Sequence, residues 1–181
     1  MIPSQAGMAI GRGLTEGEVR FLDGYYFGQV QYDKVRLVKR GVLNPKNGAM
    51  TVDSLIFFQP FNYTEDFSKT DSPGQKAIFV HEICHVWQFQ KRIKNYRWYK
   101  ALWEHITLGK ETYKYELDLS KEFADYRFEQ MGQMIEDYSF LRETGQPVEG
   151  YERIIYATIP RSGDRQDEES ESWPLPDNLV D

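Results

Sequence analysis

The chain has 181 residues, 40% hydrophobic and 15% aromatic, which excludes a mostly disordered protein and allows a real core. One cysteine excludes an internal disulfide framework and a cysteine-based zinc finger, and no apolar run approaches the ~20 residues of a membrane helix. The net charge of −6 lies in the last twenty residues, Ser162 to Asp181, which hold seven acids and one base; residues 1–161 are neutral and show no basic stripe, so nucleic acid is not an expected partner.

The first residues, MIPSQAGMAIGRGLTEGE, lack the basic and apolar regions of a Sec signal peptide. Thr15 three places before Glu18 is a capping-box pattern, which predicts a short helix through Val19 and Leu22 that ends at Asp23-Gly24. Two segments with strand character follow: Lys34 to Val38 alternates polar and apolar, and Thr51 to Gln59 is β-branched and aromatic. The turn residues Asn44-Pro45-Lys46-Asn47-Gly48 between them suggest a small antiparallel hairpin or meander, and residues 60–72 read as a loop.

Ser72 as N-cap, Pro73 at the first helical position and Gln75 to close the box make the strongest helix start in the chain. That helix is expected from Pro73 to about Arg92, apolar enough to be central and buried. A second helix is expected over Tyr96 to Ile106, with a break at Gly109, and a third from N-cap Ser120 to about Arg142, stopped by Gly145 and Pro147. Helices with a small antiparallel sheet make an α+β domain over residues 1–161. Residues 162–181, SGDRQDEESESWPLPDNLVD, read as an acidic extension in which Trp173, Leu175, Leu179 and Val180 are apolar enough to dock.

Residues 81–85 read His-Glu-Ile-Cys-His. Helix positions i and i+4 share a face, so His81 and His85 can aim two imidazole nitrogens at one metal, and the spacing suits tetrahedral zinc. Glu82, beside the first ligand, can take a proton from a water held by the metal. This is the H-E-x-x-H pattern of metallopeptidases; the plainer reading is a pair of helix histidines satisfied by hydrogen bonds. A catalytic zinc needs a third protein ligand. Lys91 occupies the position of the third histidine of metzincins, and His105, the remaining histidine, can ligate, orient substrate or pack. Glu122, Asp125, Glu129 and Glu136 share one face of the expected third helix, with Gly132 between the last two. A mid-helix glycine costs roughly 1 kcal/mol against alanine, and close approach to the histidine helix is one reason to keep it. Glu129, one turn before Gly132, is therefore the first choice as third ligand, followed by Glu136 and Glu122.

HEICHVWQFQ, followed some forty residues later by DYRFEQMGQMIEDY, resembles a bacterial group that reads H-E-L-T-H-V-W-Q and then E-Q-Q-A-x-I-x-E-D-Y. The group consists of gluzincin-type zinc metallopeptidases associated with type VI secretion spike (VgrG) proteins, some fused to them as C-terminal effector domains. The likeness covers about residues 51–142. It implies a zincin-like fold, with the central histidine helix packed on a ligand-bearing helix. It matches His81 and His85 to the histidine ligands, Glu82 to the catalytic base and Glu129 to the third ligand. Gly132 stands where the group often has alanine, and Cys84 where it often has a small hydroxyl. The implied biology is an antibacterial toxin made in the bacterial cytoplasm without a Sec signal and secreted into a target cell. Its implied partners are a peptide or protein substrate, a spike protein and an immunity protein.

The expected reaction is zinc-dependent peptide-bond hydrolysis. The segment Thr51 to Gln59 can pair with an extended substrate by edge addition, with one of Phe57 and Phe58 in the core. Tyr138, Tyr126, Tyr113 and His105 are candidates for stabilising the oxyanion. The competing readings are a zinc-binding, non-catalytic adaptor of a secretion apparatus and a plain binding protein that uses its acidic tail. A tail lying in the cleft would make the enzyme self-inhibited.

Overall fold

The computed structural model describes residues 11–39 and 48–161, with the side chains of Ala101 and His105 excepted. Of the turn expected over Asn44 to Gly48, residues 44–47 lie outside the described residues, as does the acidic segment 162–181.

Helix α1 spans Glu16–Tyr26 and begins as its caps dictate: Thr15 Oγ1 accepts the Glu18 N–H, and Glu18 accepts the Thr15 N–H at 2.8 Å. It runs past Asp23-Gly24, where the sequence suggests an end, because Leu22, Tyr25 and Tyr26 all enter the core and Tyr26 donates to the Val80 carbonyl at 2.7 Å. Fully buried Glu18 also accepts two 2.8 Å hydrogen bonds from Arg12 and one from the Phe67 N–H at 2.9 Å. One carboxylate thus ties together three separate stretches of chain. Glu18→Ala takes the carboxylate from the Arg12 guanidinium and strands two amides, and is expected to cost about 3 kcal/mol in urea unfolding. A loss under ~0.5 kcal/mol, the level of an ordinary surface change, would contradict this account.

The sheet contains β1 (Arg36–Lys39), β2 (Ala49–Val52) and β3 (Leu55–Phe58) in the order β1-β3-β2. It corrects the antiparallel expectation: β2 pairs antiparallel with β3, but β1 pairs with it in parallel, so the sheet is mixed. The stretch 51–59 is not one strand. It reverses at Asp53, whose φ of +57° places it in the left-handed region, and β3 becomes the central strand. Apolar alternation sets which side is buried: Leu37, Ile56 and Phe58 are wholly inside, whereas Phe57 is only partly covered.

Helix α2, Pro73–Gln90, starts on Ser72, whose hydroxyl accepts the Gln75 N–H at 3.3 Å. Gln75 does not close a box; its side chain accepts from the Thr70 hydroxyl at 2.6 Å. Residues 81–88 are all buried, the polar His81, Glu82, His85 and Gln88 among them, so this helix is covered on every side. Helix α3 covers Trp98–Leu108 and breaks at Gly109, which has a φ of +54°.

The third long helix starts later than the sequence suggests. Ser120 is not its N-cap, because Asp118 Oδ1 accepts from both the N–H and the hydroxyl of Ser120, closing a local turn that competes with helix. Tyr126 then plunges inward, its hydroxyl donating to the Glu116 carbonyl and accepting the Asp118 N–H, both at 3.0 Å. Helix α4 runs over Phe128–Glu143 and packs along α2 more extensively than any other described pair of elements. Helix α5, Glu149–Thr158, closes the described chain and buries Ile154 and Ile155; it has no counterpart in the elements read from the sequence. The class is helix-rich α+β.

Candidate metal centre

Two helices build the site. On α2, one turn of rise brings His81 Nε2 and His85 Nε2 within 3.2 Å of each other. From α4, Glu129 Oε2 lies 3.5 Å from each nitrogen. Metal–donor bonds of about 2.05 Å at tetrahedral angles place neighbouring donors ~3.3 Å apart. The three atoms form a triangle of that size, and they are the group of acidic, histidine and cysteine side chains among the described residues that can hold an ion. All three residues are buried.

Gly132 makes this approach possible. A Cβ there would lie 2.7 Å from His81 Nε2 and 2.8 Å from Cε1 of the same ring, closer than atoms pack. The expectation of close helix approach at this glycine is met, and the atom it spares is a candidate ligand atom.

Both rings have a polar group behind them. His81 Nδ1 lies 2.8 Å from Glu136 Oε2, two turns beyond Glu129 on α4, an ion-pair distance without hydrogen-bond alignment. His85 Nδ1 lies 2.9 Å from Gln88 Oε1. The Gln88 amide nitrogen donates to the Phe128 carbonyl at 3.0 Å, so its oxygen must be the atom facing His85. His85 Nδ1 therefore carries a proton, which leaves Nε2, facing Glu129 and His81, as the ring atom able to meet a metal. Carboxylates and amides in this position fix ring orientation and raise ligand basicity. Glu136→Ala is expected to weaken zinc affinity about 10–100-fold in a competition titration while leaving the fold intact, and an unchanged affinity would remove Glu136 from the site.

Glu82 is buried on the same turn as His81, and its Oε2 accepts from the Thr51 hydroxyl of β2 at 2.6 Å. Burial pushes the Glu82 carboxyl up, outweighing the pull of His81, His85 and Thr51. Burial also opposes charge on His81, but Glu129 and Glu136 outweigh it and hold its pKa well above the usual histidine value. His85 is likewise raised, by Glu129 against burial. Burial works against ionised Glu129 as well, yet the two imidazoles win and depress its pKa strongly. A carboxylate and two nitrogens that attract positive charge into a dry space form a cation site in electrostatic terms.

The other sequence candidates separate. Glu122 and Asp125 lie on and beside a one-turn 3-10 helix at Phe123–Asp125, exposed, and do not share the face of α4 that carries Glu129 and Glu136. Tyr126 is occupied with residues 116 and 118, and Tyr138 pairs with Tyr156 at 2.6 Å and Glu152 at 3.1 Å, away from the histidines. Tyr113 is the candidate that reaches the site, its ring 6.3 Å from that of His81. Burial, followed by the charges of Glu129, Glu82 and Glu136, raises its pKa, so it stays protonated. His105 lies within α3, but its side chain is outside the described residues. Sequence reasoning missed Gln88 and Thr51 as supports and offered Glu136 only as an alternative ligand. Gln88, three residues after His85, had a usable signal in its i+3 spacing; Thr51 had none, since its contact joins positions 31 apart.

Beside Tyr113 opens a cavity of about 1160 Å³ whose walls include Arg127, Gln130, Asp137 and Tyr151. No helix among the described residues is long and apolar enough to cross a membrane.

No protein-family model matches the chain. Over 133 residues, 71% of its length, it is 31% identical to the type VI secretion system spike protein VgrG2b of Pseudomonas aeruginosa, and that match spans 13% of the longer spike protein. The solved structure of the effector domain of Pseudomonas aeruginosa VgrG2b superposes with a TM-score of 0.66 at 26% identity, over 83% of this chain and 84% of that domain. The chain is thus linked by homology to type VI secretion spike-associated proteins through that domain.

Proposed function

We propose that this chain is a zinc-dependent peptide-bond hydrolase that serves as a type VI secretion effector. The observation that carries the hydrolase reading is the buried triangle of His81, His85 and Glu129, with edges of 3.2, 3.5 and 3.5 Å and a buried carboxylate, Glu82, on the adjoining turn. The secretion reading rests on the likeness to the VgrG2b effector domain. The arrangement supports a zincin-like assignment, with Glu129 contributed by a second helix as in gluzincins. Nitrogen and carboxylate donors at this spacing suit zinc. When bound, zinc polarises a carbonyl and lowers the pKa of water near it.

The chain's own residues supply the rest. Glu82, held by Thr51, accepts the proton of the attacking water and returns it to the leaving amine. Its raised pKa brings it nearer the operating pH, where a shuttle works best. Tyr113, kept neutral by burial and then by its acidic neighbours, would donate toward the developing oxyanion. Of the segment 51–59, only the β2 half forms a sheet edge among the described residues, so an extended substrate would align on β2, next to Thr51.

Metal analysis of the purified full chain tests the reading. About one zinc per chain is the stoichiometry of a single three-ligand site, together with peptide hydrolysis that a chelator stops and added zinc restores. A folded chain that takes up no zinc from a micromolar excess would end it.

A further inference from the structure

Helix α3 presents an apolar face to solvent. Trp103 is 67% exposed, Ile106 65%, Tyr99 53%, Leu102 42% and Trp98 40%. Scattered exposed apolar residues need no explanation, but five large ones within nine positions of a single helix do. The same stretch is the basic part of the chain: residues 91–114 hold seven bases and two acids, +5, although residues 1–161 are neutral. Among the described residues, Lys94, Arg97, Lys100 and Lys110 have no ion-pair partner. A cationic apolar surface of this kind calls for an anionic, partly apolar occupant.

We infer that the occupant is the chain's own segment 162–181, seated on the exposed face of α3. Both terms are complementary. The segment carries −6, and its Trp173, Leu175, Leu179 and Val180 can cover the indoles and aliphatic side chains of α3. From Arg161 to Trp173 an extended chain spans up to ~40 Å, comparable to the ~39 Å diameter of a sphere with the ~15 Å radius of gyration of a domain this size. Tethering supplies an effective concentration of about millimolar, so a contact too weak to hold a separate peptide is populated within one molecule. The same helix borders the candidate metal centre. Tyr96, just before α3, stacks on His85 with 5.9 Å between ring centroids, and Glu104 of α3 lies close enough for its charge to be felt by Glu129 and His85. This inference goes beyond the hydrolase reading and does not require it.

Zero-length carbodiimide cross-linking of the full chain tests it, with natural-abundance and nitrogen-15-labelled chains mixed at low ionic strength and products read by mass spectrometry. The expected cross-links join Asp164, Asp167, Glu168, Glu169 or Glu171 to Lys94, Lys100 or Lys110, within one isotopic label. The double variant Trp103→Ser/Ile106→Ser is expected to lower their yield at least about fivefold by removing two apolar anchors, and Trp173→Ser/Leu175→Ser should do the same from the other side. Equal cross-linking to distant lysines such as Lys69 would overturn the inference. Mixed-label products would give the face to a second copy, and cosedimentation of the full chain with phosphatidylglycerol vesicles, lost in the Trp103→Ser/Ile106→Ser variant, would give it to a lipid surface; either result overturns the inference as well. None of these readouts depends on metal or on hydrolysis.

Discussion

Glu129→Ala is expected to empty the metal centre without unfolding the protein. Zinc held by a full ligand set is bound by ~12 kcal/mol, so losing one of three protein donors costs on the order of 4 kcal/mol, roughly a thousandfold in affinity. The fold survives because burial of an ionised carboxylate is itself unfavourable, and the side chain is compensated only by the two imidazoles it faces. The variant makes a second prediction that needs no metal. Glu129 is a main reason that the pKa values of His81 and His85 are raised against burial, so both should fall in the metal-free variant. The sign follows directly: with the anion gone, desolvation favours the neutral imidazole, and the rings lose their protons at lower pH than in the parent chain. Zinc titration by calorimetry and histidine titration by NMR check the two halves. Full zinc retention would deny Glu129 the third-ligand role. Unmoved histidine pKa values would deny the 3.5 Å contacts.

Glu82→Gln is expected to keep zinc and fold but lose hydrolysis by about 10²–10⁴-fold, the usual contribution of a positioned general base. The amide still fills the space, and its oxygen still accepts from Thr51, so a merely structural role would leave turnover near normal. The comparison separates the competing readings. A zinc-loaded parent chain that cleaves no peptide, with Glu82→Gln indistinguishable from it, would make the protein a metal-binding adaptor of the secretion machinery. Turnover unchanged by Glu82→Gln would place the base elsewhere.

Much of the candidate site is legible in local sequence, because helix periodicity is a short-range rule. His81, Glu82 and His85 need only a helix under them, and Ser72-Pro73 announces that helix unambiguously. Glu129 was reachable because Gly132, one turn on, is poorly suited to a helix unless something passes close by, and what passes is the His81 ring. The acidic face that periodicity predicts is nonetheless longer than the one α4 presents. Glu122 and Asp125 fall off it, because Asp118 and Tyr126 hold the chain in turns that delay α4 until Phe128. Periodicity counted through those residues assumed a helix that side-chain hydrogen bonds prevent.

By itself the sequence determined where α1 and α2 begin and which residues stand at metal-ligand spacing on one helix, since caps and periodicity act over a few residues; that Phe58 and not Phe57 is the core side of β3 came from the fold. Only tertiary structure decided that β1 lies parallel to β3, that Thr51 grips Glu82 and that Glu136 backs His81. Those outcomes depend on how separate elements meet in space, through contacts between residues tens of positions apart. No local preference of the backbone encodes such distances.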